Sequence, residues 1–125
     1  MTARDSLAAP RTTLGSHVLA DLAGIDATLL RDAARLESIL TDAAQQAGAR
    51  VIGAHFHHFG GEHGVTGVVL LAESHITIHT WPEHGFAAVD AFMCGAACAA
   101  DAVDAIAAAL GSHAQARQQV ARGGA

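Results

Sequence analysis

The chain has no lysine, no tyrosine and no asparagine; all seven of its basic residues are arginines, set against twelve acidic residues in 125 positions. Without a lysine it cannot hold pyridoxal phosphate as a Schiff base, and it lacks the phosphate-binding lysine of a P-loop. Any Schiff-base chemistry performed here must therefore obtain its carbonyl some other way. Positive charge is scarce too: the formal net charge is -5, which argues against nucleic acid or an anionic membrane as partner. Two cysteines, Cys94 and Cys98, are too few for a disulfide framework or a zinc ribbon, so a reducing, cytoplasmic setting is expected. No apolar run approaches the roughly 18 residues that a membrane span needs. Residues 1–13 lack the apolar core of a signal peptide and read as a mobile tail ahead of a single domain over 14–125. What the chain does have is alanine, about a quarter of all residues, within a hydrophobic content of 51% that suits a globular core.

Hydrophobic periodicity divides this domain into alternating elements. Leu14–Leu22 reads as a first strand closed by Ala23-Gly24. From Asp26, a candidate N-cap, apolar residues recur at three- and four-residue steps (Leu29, Leu30, Ala33, Leu36, Ile39, Leu40, Ala43, Ala47) to a stop at Gly48 and predict one long helix. Strands are expected over 50–59, 65–72, 75–81 and 86–93, and the near-continuous Val/Leu run of 65–72 suggests burial on both faces. Val103, Ile106, Ala107 and Leu110 mark a second helix ending at Gly111, and 114–122 forms a last strand. This order predicts an α+β fold, a two-layer sandwich with both helices on one face of an antiparallel sheet.

Polar residues gather in the middle of the chain. Seven of the nine histidines lie between His55 and His84. His55 with His57, and His75 with His79, would share strand faces and offer four imidazoles to one ion. No recognised ligand spacing accompanies them, so solvent-facing histidines are the stronger reading and no resident metal is expected. At Glu73-Ser74-His75 two strands join with neither glycine nor proline to relax the turn, a place where backbone strain would collect. Ser74 beside His75 lacks the Gly-x-Ser-x-Gly elbow of a hydrolase nucleophile. Cys94, at a strand end before Gly95, reads by itself as packing more readily than as chemistry.

Several ordered stretches resemble one family. Leu14-Gly15-Ser16-His17, Phe56-His57-His58-Phe59, Gly64-Val65-Thr66-Gly67-Val68-Val69, the run from Ala72 to Glu83, Gly85–Asp90 and Phe92-Met93-Cys94-Gly95 together resemble the short prokaryotic S-adenosylmethionine decarboxylase proenzymes over nearly all of residues 14–123. The resemblance implies self-cleavage between Glu73 and Ser74 into fragments 1–73 and 74–125, with Ser74 converted to a pyruvoyl group that forms a Schiff base with the substrate. It implies Thr66 and His79 as helpers of processing and Cys94 as proton donor in decarboxylation, a fitting role for a thiol that is mostly protonated at neutral pH. Phe59, Trp81 and Glu83 match the adenine-stacking and ribose-holding positions. It further implies a small-molecule substrate, a role in polyamine biosynthesis and a homodimer of processed protomers with pockets near the interface.

The chain departs from the family pattern in places. Ser16 stands where a basic residue is common, His84 and Phe86 where tyrosines are frequent, and the Phe59–Gly64 loop is one residue longer and lacks proline. These positions leave ornithine or arginine open as the substrate of the same chemistry. An uncleaved, histidine-rich binding protein on the same fold is the non-enzymatic alternative.

Overall fold

A computed structural model describes residues 13–124. Residues 1–12, nearly the whole of the expected tail, lie outside that range. Strand β1 (Gly15–Ala23) is followed by a short helix α1 (Ala27–Leu30), helix α2 (Ala33–Gln46), strands β2 (Val51–His58), β3 (Val65–Leu71) and β4 (Ser74–Trp81), a 3-10 turn (Pro82–His84), β5 (Phe86–Met93), helix α3 (Ala99–Leu110) and β6 (Ala114–Arg122). The six strands form one sheet in the order β2-β3-β4-β5-β1-β6, antiparallel at every pairing. Helix α2 packs over β2 and β3, α3 packs over β5 and β1, and the two helices touch each other. The α+β two-layer sandwich read from the sequence is therefore the architecture. No described helix is long and apolar enough to cross a membrane.

The core lies between the sheet and this helical layer. Leu36, Ile39, Leu40, Ala43 and Ala44 of α2 and Ala102, Val103, Ile106, Ala107 and Leu110 of α3 face Val18, Leu22, Val69, Ile76, Ile78, Val89 and Met93 of the strands. Each fully buried Leu, Ile or Val contributes roughly 1.5–3 kcal/mol, so helix positions and strand alternation reinforce one another. Both helices stop where glycine allows a left-handed residue, Gly48 (φ 89°) after α2 and Gly111 (φ 69°) after α3.

Two sequence expectations need correction. The single helix from Asp26 is broken: Asp26 caps α1, and Asp32, with extended backbone, caps α2 by accepting from the Arg35 amide at 3.0 Å. The buried Thr80 hydroxyl donates to the Leu30 carbonyl at 2.7 Å, which satisfies the end of α1 and fixes the break. Strand β3, expected to be buried on both faces, is covered on one. Val65, Val69 and Leu71 point into the core, while Val68 and Leu70 are 40% and 54% exposed on the helix-free face. Leu19 and Trp81 are exposed on that same face. The reason is the topology, since both long helices lie on one side of the sheet.

Candidate active site

The β3–β4 hairpin carries the residues singled out in the sequence. Leu71 pairs with Ser74, so Ala72 and Glu73 alone make the turn. Glu73 has φ 61° and is the one non-glycine residue with positive φ among the described residues. A left-handed conformation at a residue with a Cβ costs roughly 1–2 kcal/mol, and it falls on the residue that contributes the carbonyl of the Glu73–Ser74 peptide. The strain expected at this junction is present.

Ser74 begins β4 on the helix-covered face and is 8% exposed. Cys94, one residue past β5, donates its thiol to the Glu73 carbonyl oxygen at 3.2 Å and lies 3.8 Å from the Ser74 hydroxyl. One short turn thus holds a nucleophilic oxygen, the adjacent carbonyl and an acidic hydrogen on that carbonyl. Cys98, at the N-cap of α3, makes no side-chain cap bond.

A second group forms at the other end of the hairpin. Thr66 of β3 pairs directly with His79 of β4, and the Thr66 hydroxyl is 3.2 Å from His79 Nδ1. Both lie on the helix-free face and line a cavity of about 320 Å³ with Phe59, Trp81 and Glu83. His79 lies five steps along β4 from Ser74, roughly 17 Å at about 3.4 Å per residue, and their side chains point to opposite faces. All the expected site residues are therefore gathered into two clusters, and the clusters do not meet within the chain.

The four-imidazole arrangement does not form, because β3 separates the histidines of β2 from those of β4. A different cluster, not foreseen from sequence, occupies the helix-free face beside Ser74. Asp90 of β5 accepts from His17 Nε2 of β1 at 2.5 Å, from His75 Nε2 of β4 at 3.4 Å, and from the Thr77 hydroxyl. Phe92 stacks on His75 and meets His17 edge-on. Burial alone would raise the Asp90 carboxyl, but the hydrogen bonds from Thr77, His17 and His75, with the charge of His75, hold it below the usual carboxylate value. Arg122 Nη1 donates to His17 Nδ1 at 3.2 Å, which leaves His17 Nε2 as the nitrogen that donates to Asp90. The ligand atoms of His17, His75 and Asp90 lie within 4.8 Å of one another, yet both His17 nitrogens are engaged in this pattern, so the triad reads as a hydrogen-bonded network. Only the strand order could have revealed it: His17 and Asp90 are 73 residues apart in sequence.

A family model described as S-adenosylmethionine decarboxylase matches residues 16–123. The chain belongs to the S-adenosylmethionine decarboxylase family. A relative named S-adenosylmethionine decarboxylase proenzyme from Thermodesulfovibrio yellowstonii is 51% identical over 82 residues, covering 66% of this chain and 60% of its own length. Its counterpart from Aquifex aeolicus is 52% identical over 83 residues, 66% of this chain and 61% of the relative. The matched region thus spans less than two thirds of these relatives. The crystal structure of the adenosylmethionine decarboxylase from Aquifex aeolicus superposes with a TM-score of 0.82 at 43% identity, covering 90% of this chain and 92% of that one. The family's fold is thus shared across the sheet and both helices.

Proposed function

We propose that the chain is a proenzyme that cuts itself between Glu73 and Ser74 and then decarboxylates S-adenosylmethionine, yielding the aminopropyl donor used in polyamine synthesis. The observation that carries this reading is the hydrogen bond from Cys94 to the Glu73 carbonyl, made beside the Ser74 hydroxyl at a strained turn. The thiol polarises the carbonyl, and attack by Ser74 Oγ forms an ester while the peptide C–N bond breaks, which releases the left-handed Glu73 from its turn. Loss of the Ser74 α-proton to a base then expels the Glu73 acyl group as a carboxylate. The dehydroalanine left behind takes up water and loses ammonia.

The residues around Ser74 fit the resulting pyruvoyl group: the site is the first residue of a strand, mostly buried, with a thiol within 3.8 Å. Such a group supplies an electrophilic carbonyl that accepts an amine and the electron pair released with carbon dioxide. Cys94, half-buried beside Ser74, is placed to return a proton to the substrate carbon. No lysine is required at any step.

Separation of the two clusters supports a homodimer. A second copy laid on the helix-free face, where Leu19, Val68, Leu70 and Trp81 are exposed, would bury this apolar surface and bring its Thr66–His79 cluster toward Ser74. In that arrangement His79 moves protons during cutting, and Thr66 holds the imidazole. Phe59 and Trp81 offer ring faces to the adenine and to the sulfonium, while the Glu83 carboxylate faces the ribose hydroxyls. Two aromatic walls suit a flat purine better than the side chain of ornithine or arginine.

Intact-mass measurement followed by carbon dioxide release from S-adenosylmethionine, ornithine and arginine tests the proposal. Two fragments and release from S-adenosylmethionine are expected; an uncut chain, or release from arginine alone, overturns it. Cys94→Ala should slow cutting and turnover by about a hundredfold, within the range of general-acid contributions.

A further inference from the structure

Cutting between Glu73 and Ser74 leaves a carboxylate on Glu73, and the amino-acid substrate brings another to the same place. A cavity of about 650 Å³ on the helix-free face adjoins both Glu73 and Ser74. Its walls are largely apolar, formed by Leu14, Leu70, Leu71 and Phe92, and its cation is Arg122 at the end of β6. Among the described residues Arg122 has no carboxylate partner: its side-chain hydrogen bond goes to His17 Nδ1. By contrast Arg117, on the same strand, is paired with Asp104 at 2.9 Å.

The neighbouring carboxylate of Asp90 is committed elsewhere. Thr77, His17 and His75 occupy it, and His17 stands between Asp90 and Arg122 with one nitrogen turned to each. The arrangement orients the guanidinium through a single N–H and, among the described residues, leaves the other donors of its planar fork unused. A fork of this kind matches a carboxylate through two parallel hydrogen bonds.

We propose that Arg122, positioned by His17, forms a carboxylate-binding subsite beside the reaction centre. The inference rests on the self-cutting decarboxylase reading above. The carboxylate has two sources, the new C-terminus at Glu73 and the α-carboxylate of the substrate, and both would approach the cavity from the Ser74 side.

Two comparisons on the full chain separate the sources. The first is the KM for S-adenosylmethionine beside the inhibition constant of decarboxylated S-adenosylmethionine, which has no carboxylate. If Arg122 holds the substrate, Arg122→Gln raises the KM by about tenfold or more, leaves the inhibition constant unchanged, and Arg122→Lys recovers part of the loss. The second is the melting temperature of cut protein beside that of the uncut Ser74→Ala protein. If Arg122 holds the new terminus, Arg122→Gln lowers the first by a few degrees and leaves the second unchanged. Equal effects on both members of each pair, or no effect on either, overturn the subsite. Should Arg122→Gln fail to fold, Arg122→Lys is read through the same two comparisons. A wild-type chain that stays uncut overturns the decarboxylase reading along with this one; a wild-type chain that cuts while its Arg122 variants behave identically to it overturns this one alone.

Discussion

Asp90 shows how much a single carboxylate can organise. It ties β1 and β4 across β5 through His17 and His75 at the point where the sheet borders Ser74. Because its partners depress its folded-state pKa, its ionised form is favoured by folding. That stability is fully present above the unfolded carboxyl value, about 3.9, and is lost as pH falls through the lower folded value. Asp90→Asn should therefore lower the urea midpoint at pH 7, and the gap from wild type should narrow as the pH is taken below about 4. A gap independent of pH would mean that the charge of Asp90 plays no part. The sequence makes Ser74, His79 and Cys94 visible because they lie in an ordered run of motifs. It hides Asp90 and Arg122, whose roles depend on which strands become neighbours and on diagonal contacts across them.

Among the elements, the β3–β4 hairpin concentrates strain in one residue. Glu73 occupies a left-handed position at which glycine would be relaxed. In the uncut Ser74→Ala background, Glu73→Gly should raise stability by about 0.5–1 kcal/mol, the relief of the Cβ clash outweighing the added freedom of the unfolded chain. With Ser74 intact the same change should slow cutting, which timed mass measurements would report; faster cutting would show that strain at this turn does not assist attack. Strand periods and glycine stops made nearly every element readable in advance. The break at Arg31-Asp32 was not, since the apolar period continues through it and the determining bond comes from Thr80, fifty residues away. Strand β3 misled in a more informative way. Its Val/Leu run did register apolar surface on both faces, but only one face is covered within the chain.

For the whole molecule, that open face and the division of the site into two clusters make one prediction. Co-expression of a Ser74→Ala chain with a His79→Ala chain, each inactive alone, should restore activity to about a quarter of the wild-type level. Random pairing makes half the dimers mixed, each with one of its two sites complete. Recovery no greater than the sum of the separate variants would place both clusters in service of a single protomer.

The strand order carries one more consequence. A cut at Glu73-Ser74 assigns β1, β2 and β3 to one fragment and β4, β5 and β6 to the other, yet the sheet runs β2-β3-β4-β5-β1-β6. Strand β1 of the first fragment is thus clasped between β5 and β6 of the second, while β3 pairs with β4. The pieces are interleaved, so neither can leave without breaking three ladders at once. Folding before the cut is a first-order event within one chain; after it, recovery from unfolding would require two chains to meet, at a rate set by their concentration. The proposed cut would then act as a ratchet, in which the continuous chain serves as a disposable folding aid for a product that remains whole without it.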